Sequence, residues 1–209
     1  MQTPTTDPHQ FWEDRYAPQT ERQRGKAGRF LQTYVTPLDP GSVLELGCST
    51  GDDSLWLAEQ GWQVTGADIS PSAIATATRL AAEHHLSGST HFICADLSTD
   101  LPTGAFDLVT ALYFQSPFED FPRGEILHKA AHQLKPGGHL LVVSHAAGPP
   151  WSEHADHKFP TLEEELTSFA LESSEWEAIV FEVLEREATG PQGQKANLKD
   201  NLIFLKRRP

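Results

Sequence analysis

Residues 42–54 read Ser-Val-Leu-Glu-Leu-Gly-Cys-Ser-Thr-Gly-Asp-Asp-Ser, and the fold follows from how this stretch is read. Val43, Leu44 and Leu46 form a short apolar run, Gly47 and Gly51 follow, and Asp52, Asp53 and Ser54 open an apolar-periodic segment through Leu55, Trp56 and Leu57. This order of residue types predicts a buried strand, a tight glycine turn and a capped helix start. Glycine belongs where the backbone takes φ > 0, or where a ligand lies against it with no Cβ between them. A strand and a helix joined in this way open a ligand crevice at the strand's carboxyl end.

Two cofactor classes use such a turn. A dinucleotide fingerprint, Gly-x-Gly-x-x-Gly, sets a pyrophosphate on the helix N-terminus. Here the spacing is Gly-x-x-x-Gly, and Asp52 and Asp53 stand where phosphates would lie and would repel them. The stretch instead resembles the first motif of class I S-adenosylmethionine-dependent methyltransferases, acidic-x-Gly-x-Gly-x-Gly. Glu45, Gly47 and Gly51 match it, while Ser49 replaces the middle glycine with another small residue.

The downstream chain extends the resemblance over residues 41–145. Residues 63–68, Gln-Val-Thr-Gly-Ala-Asp, read as a second strand ending in an acid. Asp68 stands 17 positions after Gly51, near the roughly 20-residue spacing at which a βαβ unit offers a carboxylate to ribose hydroxyls. The bland alternative is a cap for the helix that begins at Ser70-Pro71. Residues 91–96 form the next strand, again closed by an acid, and the family resemblance assigns Asp96 to the adenine amino group. Residues 106–113, Phe-Asp-Leu-Val-Thr-Ala-Leu-Tyr, are an apolar fourth strand, and residues 135–138, Lys-Pro-Gly-Gly, precede a fifth at 139–145. Both motifs look like the same family. It implies a cofactor-binding set of Glu45, Gly47, Cys48, Ser49, Gly51, Asp68, Ile69, Asp96, Leu97 and Leu112, with S-adenosylmethionine as cofactor and S-adenosylhomocysteine as product.

At 209 residues the chain suits one α/β domain. The expected architecture is a Rossmann-like, doubly wound, seven-stranded and mostly parallel sheet with an antiparallel terminal strand. A helical lid is expected over residues 1–40, the cofactor core over 41–146, and a substrate-side loop, helix and terminal β-hairpin over 147–209. The net charge of −13 disfavours a nucleic-acid partner, which would meet a basic surface. No apolar run is long enough for a bilayer and the N-terminus has neither a basic start nor an apolar core, so a cytoplasmic monomer or homodimer is expected. Cys48 and Cys94 read as small core fillers rather than a disulfide or a zinc site.

Outside the core, residues 1–9 read as irregular and residues 10–17 as a helix that carries Phe11, Trp12 and Tyr16. Small-molecule methyltransferases often begin with such a Trp-x-x-x-Tyr segment, which would place Trp12 and Tyr16 over the cofactor. Arg15, Arg22, Arg24, Lys26 and Arg29 are five of the chain's 16 basic residues, and they read as a solvated loop or as a lid bringing positive charge to an anion. Residues 161–166 begin a helix by capping-box logic. Residues 176–187 place Ile179, Phe181 and Val183 on one face, and a turn at 190–193 leads to a closing strand at 201–205, which together make a hairpin.

Methyl transfer is an in-line displacement at a sulfonium, so alignment in a dry pocket matters more than acid-base machinery. A base helps when the nucleophile must lose a proton. His145, at the end of the fifth strand, and Tyr113 are the catalytic candidates. Tyr113, Phe114 and Trp151 would bring aromatic faces to the sulfonium or an apolar acceptor. His154, Asp156 and His157 hint at a metal, but Pro150 and Pro160 favour a loop, and no metal site is assigned. Residues 115–118, Gln-Ser-Pro-Phe, depart from the polar-Pro-Pro-aromatic motif of base and amide methylases. The short chain with its aromatic first helix is similar to the thiopurine and tellurite-resistance branch of small-molecule methyltransferases. Two rivals remain at this point, a protein that binds the cofactor without turnover and an NAD-dependent oxidoreductase.

Overall fold

The computed structural model describes residues 7–151 and 158–209. Seven strands form one sheet in the order β3-β2-β1-β4-β5-β7-β6. The cofactor half of this sheet is β1 (Ser42–Leu46), β2 (Gln63–Asp68), β3 (Thr90–Cys94) and β4 (Phe106–Leu112), all pairing in parallel. The other half is β5 (Leu134–His145), parallel to β4, then β7 (Lys195–Arg207), antiparallel to both β5 and β6 (Trp176–Thr189).

Successive side chains of a strand point to opposite faces, and the apolar runs supply both. Leu44, Val109, Leu140 and Ile203 pack on one side with Ile126 and Leu127 of α5 (Arg123–Ala131) and Leu162 of α6 (Leu162–Ser168). Val43, Leu108, Leu141 and Leu202 pack on the other with Phe30, Leu31 and Val35 of α2 (Arg29–Val35) and Leu57 of α3 (Asp52–Glu59). A smaller cluster joins Leu55 of α3 to Leu80 and Ala81 of α4 (Pro71–Glu83). Each of the Leu, Ile, Val and Phe side chains among them contributes about 1.5–3 kcal/mol by leaving water. Helices on both faces of a mostly parallel sheet are the doubly wound arrangement expected, with the antiparallel strand where the chain closes.

The local differences have local causes. The first helix, α1 (Pro8–Tyr16), begins earlier than expected because Asp7 caps it, its carboxylate accepting from Gln10 N at 3.1 Å. β5 begins at Leu134 and so takes in the Lys-Pro-Gly-Gly segment. Asp107 beside it accepts from Lys135 Nζ at 2.7 Å. The hairpin strands are 14 and 13 residues long, longer than the pattern suggested. A register shift between Ala178 and Val180 sets Ile179 apart from the alternation read for Ile179, Phe181 and Val183. Ile179 and Val183 end up exposed, while Phe181 packs on the core. Cys48 is a buried filler as expected, but Cys94 is exposed, because β3 is an edge strand. No described helix is long and apolar enough to cross a membrane.

Candidate active site

The turn after β1 folds as a string of left-handed residues, with Gly47 at φ +67, Ser49 at +52 and Gly51 at +85. The two glycines are small for different reasons. A Cβ on Gly47 would stand 2.7 Å from the ring of Phe114, above the strand ends. One on Gly51 would stand 2.8 Å from Cβ of Ala77, inside the packing of α4. Of the two, only Gly47 lines the space above the strand ends.

That space is a cavity of about 200 Å³ at the carboxyl ends of β1 to β4. Gly47 is its floor, Asp68, Ile69, Asp96 and Leu97 form one wall, Tyr113 and Phe114 the other, and Trp12 and Tyr16 of α1 cover it. Asp68 is 6% exposed and its two oxygens accept backbone N–H bonds, from Ser49 at 2.9 Å and Ser70 at 3.0 Å. Burial nonetheless pushes its carboxyl above the usual range. The cap of α4 is Ser70, whose Oγ accepts from Ala73 N, so Asp68 is not that helix's cap. Asp96 is exposed, and its Oδ1 accepts from the backbone N and Oγ of Ser98.

Nine of the residues expected at a site thus meet in one cavity. Five of the implied cofactor residues lie outside its wall. Glu45 sits beneath the turn, 4% exposed, where it accepts from Ser54 Oγ. Burial and the neighbouring Asp53 carboxylate push its carboxyl well above the ordinary range. Cys48 is buried. Ser49 binds Asp68 through its backbone, Gly51 packs on α4, and Leu112 faces a second cavity on the other side of Tyr113. Trp151 packs on Gly190 at the hairpin turn, away from both cavities. His154, Asp156 and His157 lie outside the described residues.

Asp52 and Asp53 also lie outside the wall of the Gly47 cavity. Asp52 takes Arg22 Nη2 at 2.8 Å and Gly25 N–H at 2.8 Å, and Asp53 takes Gly28 N–H at 2.6 Å. Arg24 forms a bidentate pair with Glu59 at 2.5 and 2.7 Å. Arg22 also donates to Thr50 Oγ1. Glu13 of α1 accepts from Ser70 Oγ at 2.6 Å, from Ser72 Oγ and from Ser72 N–H, which lowers its own carboxyl and fixes α1 over the cavity. Arg22 and Arg24 therefore clamp the N-terminal segment to α3, and of the arginines in the 22–29 segment only Arg29 is left without an ion pair among the described residues.

Beyond Tyr113 the side chains are organised by Asp200, which is 0% exposed. It accepts from Tyr113 OH at 3.1 Å and Arg186 Nε at 2.5 Å, and faces His145 Nδ1 at 3.2 Å. Burial would raise its carboxyl, but the bonds from His145 and Arg186 outweigh burial and hold it below the usual range. Burial and this carboxylate push the Tyr113 phenol up to about 12, so Tyr113 stays protonated at neutral pH and acts as a donor, not a base. The loop carrying Phe114 is pinned too. Arg123 Nε donates to Phe114 O at 2.6 Å and its Nη1 pairs with Glu165 Oε1 at 2.6 Å. Glu165, 2% exposed, also accepts from Ser144 Oγ at 2.5 Å and Asn201 Nδ2 at 2.9 Å. Asp200, Arg186, Arg123 and Glu165 were not expected from the sequence. The available signal was an acid, Asp200, in a strand flanked by the apolar Leu198 and Leu202.

The family model described as a methyltransferase domain matches residues 43–138, the stretch that carries the glycine turn, both strand-end acids and the Lys-Pro-Gly-Gly segment. Over that stretch the chain carries a methyltransferase domain. Among its relatives, ribosomal RNA small subunit methyltransferase C of Alcanivorax borkumensis is 34% identical over 53% of this chain and 34% of its own length. Thiocyanate methyltransferase 1 of Arabidopsis thaliana is 30% identical over 67% of this chain and 63% of its own. The chain spans about half the length of the curated relatives it matches. The solved structure of TehB from Haemophilus influenzae shares the fold, with a TM-score of 0.71 at 19% identity over 94% of this chain and 67% of that one.

The residues present suit the family's cofactor. Gly47 leaves a cradle that a Cβ would fill, and two carboxylates supply acceptors for hydroxyl and amino donors. The aromatic rings of Trp12, Tyr16 and Phe114 suit a cation, whose attraction to a ring face is worth about 0.5–2 kcal/mol.

Proposed function

We propose that this chain is an S-adenosylmethionine-dependent methyltransferase that acts on a small-molecule acceptor. The observation that carries the proposal is the single cavity in which Gly47, Asp68, Asp96 and the α1 aromatics meet. When bound, S-adenosylmethionine supplies an electrophilic methyl group on a sulfonium. In this reading Gly47 admits its methionine part, Asp68 accepts from the ribose hydroxyls, Asp96 accepts from the adenine amine, and Ile69 and Leu97 flank the base. Glu45, Cys48, Ser49 and Gly51 act one step back by holding the turn. Trp12 and Tyr16 exclude water, which favours alignment over hydrolysis.

His145 is the base where the acceptor carries a proton. A carboxylate opposite Nδ1 requires that nitrogen to donate, so Nε2 keeps the lone pair that can take a proton. The small-molecule reading is supported by the net charge of −13 and by a thiocyanate methyltransferase among the relatives, while an rRNA methyltransferase among them names the competing substrate class. The test is calorimetric titration of the full chain with S-adenosylhomocysteine and with NAD, followed by a screen of small acceptors and of ribosomal RNA for S-adenosylhomocysteine release. Binding of the first ligand alone and turnover on a small molecule are expected. NAD binding, or turnover on RNA only, would overturn the proposal.

A further inference from the structure

Two cavities meet at Tyr113. On one side lies the cavity assigned to the cofactor. On the other, at the ends of β4, β5 and β6, lies a second cavity of about 330 Å³ that shares no lining residue with the first except Tyr113. Phe30, Leu112 and Tyr113 give it an apolar lining, and Arg29, His145 and Arg186 give it polar groups.

Its charges are not all paired. Asp200, behind Tyr113, is consumed by Arg186, Tyr113 and His145, and Asp53, beside the lining Gly28, takes that residue's N–H at 2.6 Å. Neither carboxylate pairs with Arg29. Its guanidinium lies 5.2 Å from the centre of the Phe30 ring and has no ion pair among the described residues, whereas Arg22 and Arg24 are paired with Asp52 and Glu59. A cation held on an aromatic ring at the rim of an apolar recess attracts anions more strongly than one in open water, because the recess lowers the local dielectric. An arginine without an ion pair is notable in a chain whose net charge is −13.

We propose that this second cavity receives the methyl acceptor and selects one with a small apolar body and a single negative charge, such as a carboxylate, which Arg29 and Arg186 receive. The word acceptor rests on the methyltransferase reading given above, whereas the preference for an anion stands on this cavity alone.

The test uses the full chain without cofactor, at constant ionic strength, titrated with benzoate and with benzamide, which share a shape and differ in charge. Benzoate should bind about tenfold more tightly, as expected for a charge-assisted contact to a guanidinium. Arg29→Gln, a change at an exposed position, should reduce that preference to about twofold or less while leaving S-adenosylhomocysteine affinity unchanged. Because Tyr113 walls both cavities, saturating S-adenosylhomocysteine should shift benzoate affinity about threefold or more. Equal binding of benzoate and benzamide, or an unaltered preference in Arg29→Gln, overturns the anion site. An unshifted benzoate affinity overturns its role as acceptor site. Benzoate preference in a chain that fails to bind S-adenosylhomocysteine would instead sink the cofactor reading and leave the anion site standing.

Discussion

Asp68 and Asp200 are buried carboxylates at the two ends of the same sheet edge, and they are held by opposite means. Asp68 takes backbone N–H groups of Ser49 and Ser70, 19 and 2 positions away in the chain. Asp200 takes side chains, Arg186 from the neighbouring hairpin strand, and His145 and Tyr113 from 55 and 87 positions away. Backbone dipoles do not offset burial at Asp68, whose carboxyl is raised, whereas bonds that include a full guanidinium charge more than offset it at Asp200. The cofactor end is therefore a backbone cradle whose carboxylate keeps lone pairs for a ligand. The acceptor end is a side-chain network that presents cations.

The comparison breaks most visibly if the network is cut. Glu165→Ala leaves Arg123 without its buried partner and releases the loop that carries Phe114, and should cost about 3–5 kcal/mol in urea unfolding. A loss below about 1 kcal/mol would show that the acceptor end does not depend on buried side chains. A smaller effect separates the two acids. Asp68→Asn should weaken S-adenosylhomocysteine binding by about 1.5–3 kcal/mol in calorimetry, the worth of hydrogen bonds to a charged group, while Asp200→Asn should change it by less than about 0.7 kcal/mol. Equal losses would erase the division of labour.

Acid and base should act on the two ends with opposite sign. A carboxyl raised in the folded state, as at Glu45 and Asp68, binds its proton before the unfolded chain does, so its contribution to stability falls as pH rises out of the ordinary carboxylate range. Asp200, lowered in the folded state, contributes stability that is present above that range and is lost as pH falls through its folded value. Unfolding free energies measured between about pH 4 and pH 8 should therefore decline less steeply on the alkaline side in Glu45→Gln, and Asp200→Asn should remove part of the acid loss. Parallel curves for both variants and the parent would contradict the assignment. The smallest effect is expected at the strap. Arg24→Ala removes a partly exposed ion pair and should cost about 1 kcal/mol or less in thermal unfolding.

Legibility followed the same divide. The apolar runs of β1, β2 and β4, the glycine turn and the acids closing the second and third strands are local patterns, and strand, turn and crossover chemistry act over a few residues, so the cofactor cavity could be read along the chain. Local patterns were ambiguous where one residue type serves two needs. Gly51 packs against Ala77, and Asp52 and Asp53 hold the N-terminal strap. The Arg22 and Arg24 charges, legible as a cluster, could not be assigned a partner, because Asp52 and Glu59 lie about 30 and 35 positions away.

By itself the amino-acid order determined a doubly wound sheet and a nucleoside-shaped turn, since periodicity and glycine placement act through short stretches of backbone. Tertiary structure alone decided that Asp200 meets Arg186, His145 and Tyr113, that Glu165 pins Arg123, and that Arg29 is left over. Those outcomes depend on which strands the β6–β7 hairpin brings beside β5, and on a burial cost that exists only once water has been excluded around the paired groups.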